Sequence, residues 1–524
     1  MTLYLANGGM VTGELVRETP QEVILRWDYG DVAFKRSEIQ QTSKSAQDAD
    51  PSRMTMPWEG EHQQARWPYQ HDVVVKLTKG TVVDIPIRAV TPTTVVLAQT
   101  LPGGGEVEQT ILRETIEQLL FRPIHNERST QIETQLRGLF PTMHWYEEGM
   151  FTLLTDSIPP TIKEYRRTIR ALATDWYLTF HPLLQSRSPT VQQYIVVFEN
   201  WPSYLEYAAT DGVPGWMAIG YFHPGDEILY CFNVLGEQFS LLLEDAFLGQ
   251  FRGVRDRVST QLKVSRSQVF VEGQMSEFLR KLEGAHAALR QMYSRVGTDV
   301  LRHELTHAMF HNWQLQNVVL SQMPESGREE FEKKRRYLQE DDDERKRQLL
   351  EELLKQQITG KLPDLRASNS WFVEGLAAYM EPIPVGEPNT ERVAEVQEAR
   401  TRRQILPLEL LNALRMGSFH GMSTQSALYA HAQSWAFCHF LMQHHRDAFM
   451  TYLERLAAEH PGEDVDTLPW LLEALGTAQR PLEQQFLAYL ERFPAEDPFW
   501  LKQKQEFLDL HTELTTLASR LWGR

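Results

Sequence analysis

The residues whose types and spacing could do chemistry lie in one short segment, VLRHELTHAMFHNW, at residues 300–313. It contains three histidines at intervals of four, His303, His307 and His311, and Glu304 directly follows the first. Residues four apart on a helix lie one turn above another, so two such imidazoles can reach one metal ion. Neutral imidazole and tetrahedral geometry suit zinc, and the pattern H-E-x-x-H is typical of helical zinc sites.

Glu304 is the candidate general base of such a site. It projects about 100° around the helix from His303, which would put its carboxylate beside the open coordination position. From there it could take a proton from metal-activated water and pass it to a leaving amine. The segment therefore predicts metal-assisted hydrolysis.

A second segment, SWFVEGLAAYMEP at residues 370–382, supplies the candidate third ligand, Glu374, which lies 67 residues after His307. A third protein ligand leaves the fourth zinc position free for water, as hydrolysis requires. Gly375 and the neighbouring alanines predict a helix that can approach the first helix closely.

HELTHA followed by WFVEGLAAY resembles the gluzincin metallopeptidases, most of all the bacterial peptidase-MA-like domains. The related zinc aminopeptidases share a second-helix pattern, W-x-x-E-G-x-A-x-Y, which this chain meets at Trp371, Glu374, Gly375, Ala377 and Tyr379. The resemblance covers residues 145–460. It implies zinc ligands at His303, His307 and Glu374, with Glu304 as the general base.

Some family features are absent from the sequence. The exopeptidase motif G-x-M-E-N of the aminopeptidases does not occur, so an endopeptidase or another amide hydrolase stays open. Thermolysin-like enzymes carry an acidic residue four positions after the third ligand, and here that position is Ala378. The groups that orient the metal ligands are therefore expected elsewhere.

The metzincin pattern, H-E-x-x-H-x-x-G-x-x-H, is not met, because Phe310 and Trp313 occupy the positions of its glycine and third histidine. His311 falls two residues short of the third-ligand position. We expect it to support the site from outside or to pack against the fold.

Gluzincins hold the developing oxyanion with a Tyr or His from a later helix. The segment ALYAHAQSWAFCHFL, residues 427–441, offers Tyr429 and His431 for this role. Such a donor contributes most where water is excluded and charge appears only in the transition state. The resemblance slightly favours Tyr429, since peptidase-MA-like domains carry a similar tyrosine on the corresponding helix.

The elements that must position these residues predict an α+β fold. Residues 1–45 and 70–122 repeat one plan of short strands and glycine turns, and each copy ends in an arginine-containing stretch, at Arg36 and Arg113. We expect two small SH3-like or Sm-like β-barrels, with either a spacer or a binding role.

The rest of the chain divides into three predicted parts. Residues 145–320 are expected to form the N-terminal zincin subdomain, which contains the H-E-x-x-H helix and, at residues 216–234, a strand hairpin beside the cleft. The mixed charges of residues 321–362 predict a helical insertion at the surface. Residues 363–524 are expected to form a helical C-terminal subdomain that contains the third zinc ligand.

The composition narrows the range of possible binding partners. The net charge of −17 repels phosphate backbones, so we expect no nucleic acid partner. The two cysteines, Cys231 and Cys438, exclude a disulfide framework and a cysteine zinc cluster. We find neither a membrane-spanning apolar run nor a secretory leader. Cytoplasmic localisation is the default expectation, and export with a removed leader is the alternative.

The sequence therefore predicts a zinc-dependent peptidase that acts on a peptide or protein substrate. One alternative is a catalytically inactive zincin scaffold that binds a peptide or protein partner. Another is a helical interaction protein with an accidental HELTH segment, in which Glu374 would lie far from His303 and His307. The cleavage specificity and the oligomeric state stay open.

Overall fold

The computed structural model is α+β. It describes, apart from isolated positions, residues 2–5, 10–12, 14–27, 30–43, 67–100, 106–211, 219–223, 225–234, 254–258, 269–315, 370–414, 424–459, 465–493 and 499–522. The chain forms two compact units. One comprises Met1–Gln70 with Ile158–Glu164, and the other comprises His71–Ser157 with Tyr165–Arg524.

The first unit consists mainly of short strands. They are β1 Thr2–Leu5, β2 Met10–Thr12, β3 Glu14–Glu18, β4 Glu22–Trp27, β5 Gly30–Lys35 and β6 Ile39–Ser43. They form two three-stranded antiparallel sheets, in the orders β2-β1-β6 and β3-β4-β5. Leu3, Val23 and Leu25 are fully buried and pack together, with Ile39 against them. This small core is what alternating apolar positions on short strands can provide.

The second unit begins with a strand module of the same plan. Its strands are β7 Val73–Leu77, β8 Val82–Val83, β9 Ile87–Val90, β10 Thr94–Thr100, β11 Glu106–Leu112 and β12 Ile116–Phe121. The sheets have the orders β12-β7-β8 and β11-β10-β9. In both modules a 3-10 turn precedes the last strand, at Arg36–Glu38 and Arg113–Thr115. The two repeated arginine-containing stretches therefore have the same local structure.

The prediction of closed β-barrels is wrong for the described residues, in which each module forms two separate three-stranded sheets. The second module shows the physical reason. Pro86, between β8 and β9, lacks an N–H and cannot continue the hydrogen-bond ladder of β7 and β8. Its carbonyl instead accepts a hydrogen bond of 3.0 Å from the Ala98 N–H of β10, so the chain passes from one sheet to the other there.

A five-stranded mixed sheet forms the centre of the second unit. Its strands are β13 His144–Glu148, β14 Phe151–Thr155, β15 Gln193–Phe198, β16 Gly220–His223 and β17 Ile228–Phe232. The order is β13-β14-β15-β17-β16, with β14, β15 and β17 parallel and the two edge strands antiparallel to their neighbours. Every residue of β15 is buried, as expected for a strand covered on both faces.

Helices cover this sheet and dominate the rest of the unit. Those among the described residues are α1 Glu127–Leu139, α2 Pro159–Leu184, α3 Trp201–Thr210, α4 Val269–Asn312, α5 Ser370–Tyr379, α6 Thr390–Thr401, α7 Leu408–Asn412, α8 Thr424–His444, α9 Arg446–Glu459, α10 Leu468–Leu475, α11 Gln479–Leu490 and α12 Phe499–Trp522. None of the described helices is both long enough and apolar enough to cross a membrane.

Helix α4 joins two parts of the second unit. Its 44 residues give it a length of about 66 Å. Its first half packs on α12 through a core that includes Phe278, Leu282 and Leu514, and its second half crosses β15, β16 and β17. A Cβ on Gly220 would lie 3.3 Å from the Val300 side chain, so this glycine lets β16 approach the helix closely. The segment predicted as a charged insertion, residues 321–362, lies outside the described residues apart from three isolated positions.

Candidate metal centre

Helix α4 presents two histidines to one side of the fold. His303 and His307 are four residues apart in this helix, and their ring centroids are 4.8 Å apart. Their side chains are only 15% and 11% exposed. Because one turn separates them, both Nε2 atoms can point at a common centre.

Helix α5 brings Glu374 to that centre. Its Oε2 lies 3.2 Å from Nε2 of His303, and its Oε1 lies 3.7 Å from Nε2 of His307. One ligand atom from each residue lies within 4.8 Å of the other two, so the group could hold a metal ion. Such separations suit atoms that share a zinc ion at about 2.0–2.3 Å each. They do not fit an accidental HELTH segment, which would leave Glu374 remote.

Close packing against α8 holds α5 in place. A Cβ on Gly375 would lie 2.4 Å from the Ser434 carbonyl oxygen and 2.5 Å from Cys438 Sγ. Gly375 was expected to allow α5 to approach α4, and the structure shows that it faces α8 instead. The close approach of α5 and α8 places Glu374, on the next face of the same turn, toward the histidines.

Glu381, two residues beyond α5, is a functional candidate that the sequence did not single out. The Nδ1–H of His303 donates to Glu381 Oε1 at 2.7 Å, and Asn389 Nδ2 donates to Glu381 Oε2 at 2.6 Å. The buried Arg302 fixes the same segment, since its Nε donates to the Met380 carbonyl at 2.8 Å. Glu381 therefore orients the candidate ligand His303, which Ala378 cannot do because it has no polar side chain.

Glu304 is held against the edge strand of the sheet. Its Oε2 accepts a hydrogen bond of 3.0 Å from the Phe222 backbone N–H of β16. Burial raises the pKa of Glu304 to about 7. The neighbouring His303 lowers this pKa, and the Glu374 carboxylate raises it further. Glu304 directly follows His303 on α4, and the bond from Phe222 holds its carboxylate on the side of β16.

The charges of the cluster favour a cation at its centre. Burial would lower the pKa of His303, but its hydrogen bonds to Glu374 and Glu381 raise it to about 10. Burial lowers the pKa of His307 to about 4. Burial of Glu374 would raise its pKa, but the neighbouring His307 and His303 hold that pKa well below its usual range. The buried carboxylates of Glu374 and Glu381 therefore hold a proton on His303 in the metal-free protein, and a divalent cation bound at the same place would displace it.

The structure separates the two oxyanion candidates on α8. Nδ1 of His431 lies 3.5 Å from Glu374 Oε2, so this imidazole reaches the cluster. Tyr429 is two residues away and thus projects about 200° around the helix from it. Burial, and then the nearby Glu398 of α6, raises the pKa of Tyr429, so this side chain lies on the side of α8 that packs on α6. Its buried hydroxyl has no hydrogen-bond partner among the described residues. Of the two candidates, His431 is the one with a contact to Glu374 in the described part of the chain.

His311 lies outside the cluster. Its Nε2 is 3.7 Å from Glu227 Oε1, and its ring lies 5.4 Å from that of Phe222. It thus packs one turn beyond His307, between α4 and the β16–β17 hairpin. This position agrees with the expected supporting or packing role.

A second set of possible ligands, Asp211, His223 and Asp226, meets the same distance limit. Tyr221 donates to Oδ2 of Asp211 at 2.7 Å, and Nδ1 of His223 accepts from the Asp226 backbone N–H at 3.2 Å. The first bond ties β16 to the end of α3, and the second lies within the β16–β17 turn. We interpret this set as a network that stabilises the hairpin.

The comparisons with known proteins give one partial match. Residues 359–463 match a family model described as "Protein of unknown function (DUF1570)". No curated protein and no solved structure matches the chain. The matched region runs from before α5 to just beyond α9. It therefore contains Glu374, Glu381 and His431 and excludes the histidine pair of α4.

Proposed function

We propose that this chain is a zinc-dependent peptidase of the gluzincin type, with a zincin-like domain. One observation carries the proposal. Glu374, from a separate helix, directs its two carboxylate oxygens to Nε2 of His303 and Nε2 of His307, at 3.2 and 3.7 Å. Two imidazoles and one carboxylate form a donor set typical of catalytic zinc, which keeps one coordination position open.

The surroundings of the three residues support zinc. Glu381 accepts the Nδ1–H of His303, so the other ring nitrogen, Nε2, can bind a metal once it gives up the proton that it donates to Glu374. A bound zinc ion would polarise the substrate carbonyl and make a water molecule more acidic. The remaining chemistry belongs to residues of this chain.

Glu304 moves the proton. Its carboxylate accepts a proton from the attacking water as the water oxygen bonds to the carbonyl carbon. The same proton then passes to the amide nitrogen as the carbon–nitrogen bond breaks, which yields a carboxylic acid and an amine. Its half-buried position beside β16 limits the contact of its carboxylate with bulk water during this transfer.

His431 is the candidate donor to the developing oxyanion. Burial lowers its pKa to about 4, so the ring is neutral near pH 7 and carries one N–H. A neutral ring fixed by α8 can donate that hydrogen to negative charge that appears in the transition state. Tyr429 is the less favoured candidate because it faces α6.

β16 is an edge strand of the sheet that the structure describes, and its outer edge can bind an extended peptide. Tyr221 and His223 pair with β17, so the backbone groups of Gly220 and Phe222 point to the open edge. The Phe222 N–H already binds Glu304, which brings a peptide on this edge next to the proposed base. Backbone pairing of this kind selects extended peptide or protein substrates.

The test combines metal analysis with one variant. We expect about one zinc per chain in the purified protein, and hydrolysis of some members of a mixed peptide library. Glu304→Gln should keep the zinc and slow hydrolysis by about 10²–10⁴-fold. Glu133→Gln, an exposed substitution on α1, is the matched control. Absence of zinc, or equal rates for Glu304→Gln and wild type, would overturn the proposal.

A second candidate function is an inactive zincin scaffold that binds a peptide or protein partner. It is favoured by the 3.5 Å distance between His431 Nδ1 and Glu374, since His431 could serve as a fourth protein ligand. Four protein ligands would close the site to water. This candidate predicts a protein that retains zinc and binds peptides on β16 but hydrolyses none of them.

A further inference from the structure

A cavity of about 890 Å³ lies between the second strand module, helix α2 and the end of α4. Its volume falls within the range of small-molecule sites, which is about 300–1,000 Å³. Trp313, directly after α4, contributes to its wall. Trp313 is six residues beyond His307 and so faces about 240° around the helix from it. The cavity is therefore distinct from the candidate metal centre.

Aromatic rings form one wall of this cavity. The ring of Tyr177 lies 5.7 Å from Phe121, 5.8 Å from Trp313 and 5.7 Å from His181, measured between centroids. Burial, and then the charge of Asp72, raises the pKa of Tyr177 to about 12, so its hydroxyl stays protonated. The wall suits an apolar or aromatic ligand group.

Three residues of the same wall carry buried polar atoms without a hydrogen-bond partner in the described part of the chain. They are Nδ1 of His181, Nε of Arg187 and Nε1 of Trp313. Nε2 of His181 contacts the Ile87 carbonyl at 3.1 Å and must donate, so Nδ1 of that ring is an acceptor. A buried polar atom without a partner destabilises the fold, so a ligand that supplies the partner gains binding energy.

The charges around the cavity favour an anion. Two of its arginines are neutralised by lining carboxylates, Arg88 by Glu106 and Arg122 by Asp72. The third, Arg187, pairs through its terminal nitrogen with Glu454, which lies outside the lining and is 45% exposed. The lining thus has an excess of positive charge within a chain of net charge −17.

We propose that this cavity binds the carboxylate end of a peptide, or a free amino acid. The carboxylate accepts from Arg187 Nε–H and Trp313 Nε1–H, and an N–H of the same ligand residue donates to His181 Nδ1. The ligand side chain packs on Tyr177. The three protein atoms are covered in this structure, so binding includes a rotation of the Arg187 side chain toward the ligand and a displacement of the groups that cover His181 Nδ1 and Trp313 Nε1.

Calorimetric titration of the full-length protein in EDTA tests binding without turnover. The probes are N-acetyl-alanyl-phenylalanine, its C-terminal amide and free phenylalanine. We expect the free acid to bind at least about tenfold more tightly than the amide, because a charge-assisted bond is lost. Tighter binding of phenylalanine would assign the site to free amino acids, and tighter binding of the peptide to chain ends. Equal affinity of acid and amide, or no binding of either acid at millimolar concentration, would refute the inference.

Two variants separate the ligand contact from the ion pair. Arg187→Gln should weaken binding of the free acid by about tenfold or more. Glu454→Gln removes the same ion pair but keeps the guanidinium, and should bind the acid at least as tightly as wild type. Trp313→Phe keeps an aromatic side chain but removes the indole N–H donor, and it should weaken binding severalfold. Unchanged binding by Arg187→Gln, or equal loss in both charge variants, contradicts the assignment. Because no metal or hydrolysis is involved, failure here is distinguishable from failure of the peptidase proposal.

Discussion

The Nδ1–H of His303 donates a hydrogen bond of 2.7 Å to Oε1 of Glu381, which fixes the imidazole from the side opposite the candidate metal. Nε2 of the same ring lies 3.2 Å from Glu374. Because the bond at Nδ1 sets the tautomer and orientation of the ring, it decides where the Nε2 lone pair points. Glu381 is therefore a positioning residue for the centre.

Replacing Glu381 should weaken metal binding without removing a ligand. We expect Glu381→Gln to lower zinc affinity by about 10–100-fold, because the charge that makes His303 more basic is lost. Competition with a chelating dye measures the affinity directly. Arg392 of α6 lies 3.9 Å from Glu381 and 3.0 Å from Glu395. The control is therefore Glu395→Gln, which removes the other carboxylate beside the same arginine. Equal zinc affinity in Glu381→Gln and the control would show that Glu381 does not orient the ligand.

The difficulty of predicting Glu381 from the sequence has a physical cause. The positions of His303 and His307 follow from helical spacing alone, and the pairing with Glu374 followed from a resemblance. Glu381 lies seven residues after Glu374, but α5 ends at Tyr379, so helical spacing does not extend to it. Its place is set by the contact from Asn389, in the turn that follows, and by Arg302, which is distant in sequence and holds the adjacent Met380 carbonyl.

Substitutions at two neighbouring positions of α8 should have different effects on kcat, although His431 and Tyr429 lie only two residues apart. We expect His431→Ala to lower kcat by about 10²–10³-fold with zinc retained, because a donor to the oxyanion is lost. Tyr429→Phe should leave kcat unchanged, since this side chain lies on the side of α8 that packs on α6. Rates and zinc content are measured on the same samples. Loss of zinc from His431→Ala would instead identify His431 as a fourth ligand and favour the inactive scaffold.

The contact between α5 and α8 should be sensitive to a single methyl group. A Cβ on Gly375 would lie 2.4 Å from a backbone oxygen, which cannot move independently of α8. Gly375→Ala should therefore destabilise the fold by about 1–3 kcal/mol, measured by urea denaturation. Gly138→Ala is the matched control, because no atom lies within 4 Å of its added Cβ and the residue is helical. A denaturation midpoint for Gly375→Ala at or above that control would contradict the packing described.

Gly375 also shows what a small residue can and cannot predict. Its type indicates that another backbone comes close, since no side chain occupies the space. It does not indicate which backbone, and the neighbour proved to be α8 rather than α4. The barrel modules are a similar case, because Pro86 marks a break in a ladder without showing whether the strands on either side close into a barrel.

The pH dependence of stability should reveal Asp299, one turn before His303 on α4. Burial, and then the charge of Glu381, raises the pKa of Asp299 to about 7 from an ordinary value near 4. A raised carboxyl pKa means that the native state favours the protonated form. The stability associated with that proton is complete below about pH 4 and is lost as the pH rises through 7.

Asp299→Asn should therefore be more stable than wild type above neutral pH. We expect an advantage of about 1–2 kcal/mol at pH 8, which is less than the full pKa shift implies because the carboxyl is 30% exposed. The advantage should vanish near pH 4, where the native carboxyl is already neutral. Urea denaturation of both proteins in EDTA across this range measures the difference and keeps bound metal from altering the local charge. A constant difference at all pH values would mean that Asp299 does not titrate in this range, and an advantage confined to low pH would reverse the sign of its shift.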